Sequence, residues 1–189
     1  MRKPFQEYPF KLDPRADYKE EYLYNKAKQN CESTTTWLYL GADTAIPTYA
    51  KIGITMGDLT SRSYSTARPT YYVFCGFKCR ADLNALELAE IESCALRYLD
   101  DQFKNHDGTT KRVNHAESGR LSECFYDVDF DSFFVTLHDY LYGRYRRDFQ
   151  VAGFYNYLDV CEGNFLLCEF NTKLVTLNEQ NKYIRKVLR

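Results

Sequence analysis

The 189-residue sequence has no apolar run approaching the roughly 20 residues that cross a bilayer. Its basic start, Met1-Arg2-Lys3, leads into no apolar signal core. A cytoplasmic (intracellular) protein with no membrane partner is therefore expected. Seven cysteines, an odd number, lie scattered at 31, 75, 79, 94, 124, 161 and 168 with no CxxC among them. With only His106, His115 and His138 to join them, they match neither a disulfide framework nor a zinc module, and they read as reduced thiols. The chain also lacks a basic excess: its formal net charge is -1. That weighs against an evenly basic nucleic-acid binder, although phosphate contacts need only a local basic surface. No internal repeat, low-complexity stretch or clear interdomain linker is present.

What the chain has in plenty is aromatic surface: 17 Tyr, 13 Phe and one Trp. Such residues supply both core and amphipathic contact area. Charge is segregated. Between Tyr49 and Arg80 stand Lys51, Arg62, Arg68, Lys78 and Arg80, and the next stretch carries Asp82, Glu87, Glu90, Glu92, Asp100 and Asp101. A basic segment followed by an acidic helix suits a phosphate-and-metal site, and it equally suits two solvated faces.

The local patterns predict one domain over 1–189. Asp13-Pro14 opens a charged helix through about Ala27. Thr36 to Leu40 and Thr48 to Ile54 form two strands of a hairpin, a short helix covers Leu59 to Thr66, and Tyr71 to Lys78 form a third strand. An amphipathic helix follows from about Leu83 to Leu99, then a polar loop from Asn105 to Arg120. Beyond it come a short strand or turn at Glu123–Val128, a helix from Phe133 to Tyr142 capped by Asp131-Ser132, and a hairpin over Phe165–Leu177.

Strand alternation places Leu38 and Leu40 on one face and Trp37 and Tyr39 on the other. On the second strand Ala50, Ile52 and Ile54 oppose Tyr49, Lys51 and Gly53. If the aliphatic faces form the core, Tyr39 and Lys51 emerge together on the exposed side. They are then either an ordinary surface pair or a phenol and an ammonium that can position a water. On the helix, Glu92 falls between the apolar rows of Leu88, Ile91, Ala95 and Leu99 and of Ala85, Ala89 and Leu96. A carboxylate on a buried face needs a partner, either an arginine or a divalent metal beside a phosphate. His106 and His115 read as solvated loop residues or substrate contacts. Tyr140-Leu-Tyr-Gly-Arg144-Tyr-Arg146-Arg147 reads as a backbone-contacting surface or as a helix end whose arginines favour the dipole.

Taken in order, Trp37-Leu38-Tyr39-Leu40, Lys51-Ile52-Gly53-Ile54-Thr55, Asp58-Leu59-Thr60-Ser61-Arg62, Ala89-Glu90-Ile91-Glu92 and Arg120-Leu121-Ser122-Glu123-Cys124-Phe125 resemble the GIY-YIG nuclease superfamily. The likeness covers about residues 34 to 135 and is nearest to the branch found in phages and mobile elements. Lys51 stands where many members have a second tyrosine, and Cys124 where tryptophan is usual.

The resemblance implies an α/β (α+β) fold with a small mixed or antiparallel three-stranded sheet flanked by helices. The nuclease core would span about 34–135, with an N-terminal extension over 1–33 and a C-terminal one over 136–189. It implies a Mg²⁺- or Mn²⁺-dependent DNA endonuclease with Tyr39, Lys51, Arg62 and Glu92 as catalytic residues and Glu92 as metal ligand. Tyr49, Tyr64, Glu123 and His115 are secondary candidates, Glu90 and Glu123 rival acids for the metal, and Arg68, Lys78, Arg144, Arg146 and Arg147 the DNA contacts. One active site cuts one strand at a time, so double-strand cleavage would take a homodimer or two encounters. The alternative is a catalytically decayed nucleic-acid-binding module on the same scaffold.

Overall fold

The computed structural model describes residues 36–57, 59 and 68–189. The expected helices at 14–27 and 59–66, together with Arg62 and Tyr64, lie outside these residues apart from Leu59. Eight strands and three helices are present among them. They are β1 (Trp37–Asp43), β2 (Ala50–Thr55), β3 (Tyr71–Lys78), α1 (Ala85–Gln102), β4 (Arg112–Asn114), β5 (Leu121–Phe125), α2 (Phe130–Tyr145), β6 (Val151–Tyr155), β7 (Cys161–Leu166), β8 (Cys168–Phe170) and α3 (Leu177–Lys186). The α+β class is as expected. No described helix is long and apolar enough to cross a membrane.

The sheet is larger than the three strands expected. Its order is β4-β5-β2-β1-β3-β8, all antiparallel, and β6-β7 form a separate ribbon. The three expected strands make its centre, with β1 in the middle and buried along its whole length. Short strands extend both edges. The polar segment 105–120 yields β4, which only its pairing with β5 makes a strand. The expected hairpin at 165–177 is corrected: the hairpin is β6–β7, Cys168–Phe170 pairs with β3, and residues from Leu177 are helical.

Cross-strand register builds the core face. Leu38 lies opposite Ile54 and Phe77, and Leu40 opposite Ile52 and Cys75. Against this face pack Leu88, Ile91, Ala95, Leu96 and Leu99 of α1 and Phe133, Phe134, Leu137 and Leu141 of α2, in one cluster. Burying such side chains stabilises by roughly 1.5–3 kcal/mol each.

Caps fix where the helices begin. Asn84 accepts from the N–H groups of Leu86 and Glu87 while Glu87 reaches back to the Asn84 N–H, which starts α1 two residues later than expected. Asp129, not Asp131-Ser132, caps α2, accepting from Ser132 N–H at 2.8 Å.

The boundary expected near 135 falls inside α2. The C-terminal segment belongs to the same core, since Phe165, Leu166, Val175 and Val187 are buried in it. His138 is fully buried on α2 and accepts the Leu166 N–H at 3.1 Å through Nε2, which ties the ribbon to the helix. Burial pushes its imidazole down to about 4, so it stays neutral near pH 7.

Candidate active site

On the face opposite the core, register sets Tyr39 across from Gly53 on β2 and Gly76 on β3, and Lys51 across from Gly41. Glycine is required at 53 by a close approach. A Cβ built there would lie 2.9 Å from Cε1 of Tyr39 and closer still to the phenol end, so the ring rests on bare backbone. The same device recurs one row along, where the Tyr71 ring lies over Gly41 and a Cβ would meet Cζ at 2.7 Å. Lys51 stands beside this second pair, its Nζ 5.9 Å from the Tyr71 ring centroid. Tyr39 and Lys51 thus share a sheet face, as alternation predicts.

That face is not solvent-exposed as expected. Tyr39 is only 6% exposed, Trp37 4%, Tyr49 2% and Tyr71 5%. The reason is local: rings fold flat over cross-strand glycines, and Leu59 lies over Gly76 and near Trp37.

Lys51 also reaches acids. Pairing of β2 with β5 covers only Ala50–Phe125 and Lys51–Cys124. One residue further on β5, Glu123 brings Oε2 to 3.8 Å from Lys51 Nζ. Glu92 of α1, which packs on β2, completes the group. It is half-buried as its place on the helix predicts. Its carboxyl is pushed up to about 7, mainly by burial and next by the Glu123 charge, with Lys51 pulling the other way. One ammonium therefore faces two carboxylates. Glu90, the rival on α1, is exposed.

The secondary candidates divide. Glu123 joins the group. Tyr49 does not: its hydroxyl donates to Cys124 Sγ at 3.1 Å, and burial followed by Cys124 pushes it far above the ordinary phenol range. It is a packing residue, in edge contact with Tyr71 and Tyr126. His115 is exposed in the β4–β5 turn, where its backbone bonds to Arg120 and Gly119 hold the turn, and His106 is exposed in the preceding loop. Arg62 and Tyr64 lie outside the described residues.

The expected DNA contacts divide as well. Arg68 is partly exposed but engaged by the fold, 3.2 Å from the buried Asp43 carboxylate, donating to Tyr126 Oη at 2.7 Å and lying over Tyr49 at 5.1 Å. Lys78 lies over its cross-strand neighbour Trp37 at 5.4 Å. Arg144 is exposed on α2. Arg146 and Arg147 line an open cavity of about 970 Å³ together with Arg80.

A second cavity, about 480 Å³, contains Asp43, Asp129, Asp131 and Glu179. Every one of these carboxylates is engaged: by Arg68, by the α2 cap, by Tyr183 and Lys186, and by the Thr176 cap. The cavity therefore offers no free ligand set. Among the described residues, no group of three or more His, Cys, Asp or Glu side chains is placed to hold a metal.

Two participants were not foreseen, Tyr71 and Gly53. An alternation count along β3 could have found Tyr71, but a register shift between Leu40 and Gly41 breaks that count. A glycine inside a strand pattern was itself the available signal for close approach. No family model matches the chain, and neither does any curated protein or solved structure.

Proposed function

We propose that the chain is a Mg²⁺- or Mn²⁺-dependent DNA endonuclease that hydrolyses phosphodiester bonds, with its site where β2, β5 and α1 meet. The observation that carries the reading is Lys51, on the sheet face of Tyr39, set against the half-buried pair Glu92 and Glu123. Two acids against one ammonium leave negative charge unmatched in a partly buried place, and that fits a divalent cation. A site with so few protein ligands suits Mg²⁺, which keeps several of its waters.

Glu92 would hold the metal, with Glu123 beside it. When bound, the metal supplies Lewis-acid stabilisation of charge on the phosphate and the leaving oxygen. Lys51 orients the attacking water or the phosphate through its three donors and keeps the acids from repelling the backbone. Tyr39, seated on Gly53, offers a hydroxyl of fixed position to the same water. Arg62 takes the role of phosphate clamp from the resemblance alone. The six described cysteines are all free, which supports an intracellular setting.

The test is nicking of supercoiled plasmid in Mg²⁺ or Mn²⁺. Glu92→Gln is expected to cut at least about 10²-fold more slowly, since it removes the main metal ligand without changing shape. Wild type that leaves plasmid intact with every divalent metal, or a Glu92→Gln protein that cuts equally well, would end the reading.

The burial of Tyr39 favours a second reading, a decayed nucleic-acid-binding module, because a phenol with so little access to water is poorly placed to activate one. That protein would retain DNA in a salt-dependent way, cut nothing, and bind equally well as Glu92→Gln.

A further inference from the structure

Leu86 apart, four of the five most exposed large apolar side chains of the described residues lie on the β6–β7 ribbon. Tyr157 is 93% exposed, Leu177 70%, Leu158 65%, Tyr155 60% and Val160 56%, and all but Leu177 belong to the ribbon tip. The tip is not loose. Asn156 Oδ1 accepts from the N–H groups of Leu158 and Val160, the Asn156 N–H bonds to Val160 O at 3.0 Å, and Asp159 takes the left-handed conformation (φ 56°) that closes the turn. Side-chain exposure on a turn with this many internal bonds is preorganised rather than frayed.

The ribbon's outer side continues into the basic cavity. Tyr155 lies back over Gly153, whose cross-strand partner is Asn164, and Asn164 and Val151 both line that cavity. Arg80, Arg146 and Arg147 face it with Tyr142 and Gln150, against Asp82 alone. Asp82 engages Arg80 at 3.3 Å, whereas Arg146 and Arg147 make no ion pair among the described residues. The floor is stiff. Gln150 N–H bonds to Lys78 O, Arg80 N–H to Asp148 O, and Cys79 bridges to Phe149.

We propose that this surface is a duplex-DNA anchor separate from the cutting residues: the backbone lies in the arginine cavity and the Tyr157–Leu158 tip presses on bases through the minor groove. The inference rests on the endonuclease reading for its choice of polymer. Charge complementarity selects the occupant, because guanidiniums with no ion pair among the described residues match phosphate bidentately, and an apolar tip at the far end of the ribbon whose base lines the cavity suits a wedge against base steps.

The experiment measures binding of a labelled duplex in EDTA over a salt series, so that no cutting intervenes. Arg146→Gln with Arg147→Gln should weaken binding about 10- to 100-fold and lower the salt slope by about 2. Tyr157→Ala with Leu158→Ser should weaken it about tenfold with the slope unchanged. Lys173→Gln with Lys182→Gln removes the same charge elsewhere and should leave affinity within about twofold.

The proposal is overturned if the arginine pair binds like wild type, if the lysine control loses as much, if wild type prefers single strands or RNA of equal length, or if wild type retains no duplex at low salt. Wild type that binds as described but never cuts plasmid removes the endonuclease reading and leaves this anchor standing. Arginine variants that bind normally while wild type cuts remove the anchor alone.

Discussion

Two neighbouring clusters at the start of β2 begin from similar parts and end in opposite electrostatic states. At the entrance to β2, Arg68 meets the buried Asp43 and Tyr126 and lies over Tyr49. Two residues on, Lys51 meets Glu123, and Glu92 feels the charge of both. In the first, charge is matched one to one. Although burial alone would raise it, the Asp43 carboxyl sits below its ordinary range because the Ala45 N–H, Arg68 and further hydrogen bonds outweigh burial. In the second, burial first and the Glu123 charge next drive Glu92 up, against the pull of Lys51. Charge matched one to one at a buried carboxylate reads as architecture. Unmatched charge at a half-open edge is what the proposed metal would offset, and perturbed groups of this kind cluster at functional sites.

The contrast breaks most visibly at Arg68. Arg68→Ala should destabilise the protein by about 2–3 kcal/mol, somewhat under the usual loss for stripping the partner from a buried acid, because Arg68 itself is partly exposed. The measurement is urea unfolding at pH 7. The deficit should shrink at low pH, where Asp43 takes up a proton. A loss below about 0.5 kcal/mol would make Arg68 an ordinary surface cation after all, and would return it to the list of candidate DNA contacts.

Next in size is the seat of the phenol. Gly53→Ala should cost about 2 kcal/mol, since the new methyl overlaps the Tyr39 ring and that ring is buried with little room to swing. Gly143→Ala is the matched control. No neighbour lies within 4 Å of its Cβ position in α2, so helix propensity should make that change neutral or stabilising by up to about 1 kcal/mol. Thermal unfolding of the two variants decides. If both behave alike, Tyr39 is not seated on Gly53 in the working protein.

How much of this was legible beforehand follows from which interactions are local. Alternation in Trp37–Leu40 and Ala50–Ile54 was enough to put Tyr39 and Lys51 on one face, and the 3.6 period was enough to turn Glu92 inward. Both are properties of a single element. The meeting of Lys51 with Glu123 is not, for it depends on the β2–β5 register and on where that pairing stops. Residues Arg112–Asn114 have no strand signature of their own, and only β5 makes them one. The ribbon was missed because its turn is built by an asparagine side chain and an aspartate at positive φ, without the glycine that usually announces a hairpin. The burial of the Tyr39 face was hidden for a related reason: side chains on that face fold over glycines in neighbouring strands, and no count along one strand can register that.

The finest probe of the comparison is the pH dependence of Glu92. Its folded-state value of about 7 lies above the ordinary 4.5, so between those pH values the folded protein keeps a proton that the unfolded chain has given up. Folding stability therefore falls as pH rises from about 4.5 through 7 and is level beyond. Partial exposure screens the effect, which leaves about 1–2 kcal/mol. Glu92→Gln mimics the protonated acid at every pH. It should match wild type at pH 4 and exceed it by that amount at pH 8, read by urea titration at the two pH values. Mg²⁺ at pH 8 should raise the melting temperature of wild type and leave Glu92→Gln unmoved, because only the carboxylate gains from a cation. If instead the glutamine protein is no more stable at pH 8, then Lys51 already satisfies Glu92, the two clusters are alike, and the case for metal chemistry at this edge loses its footing.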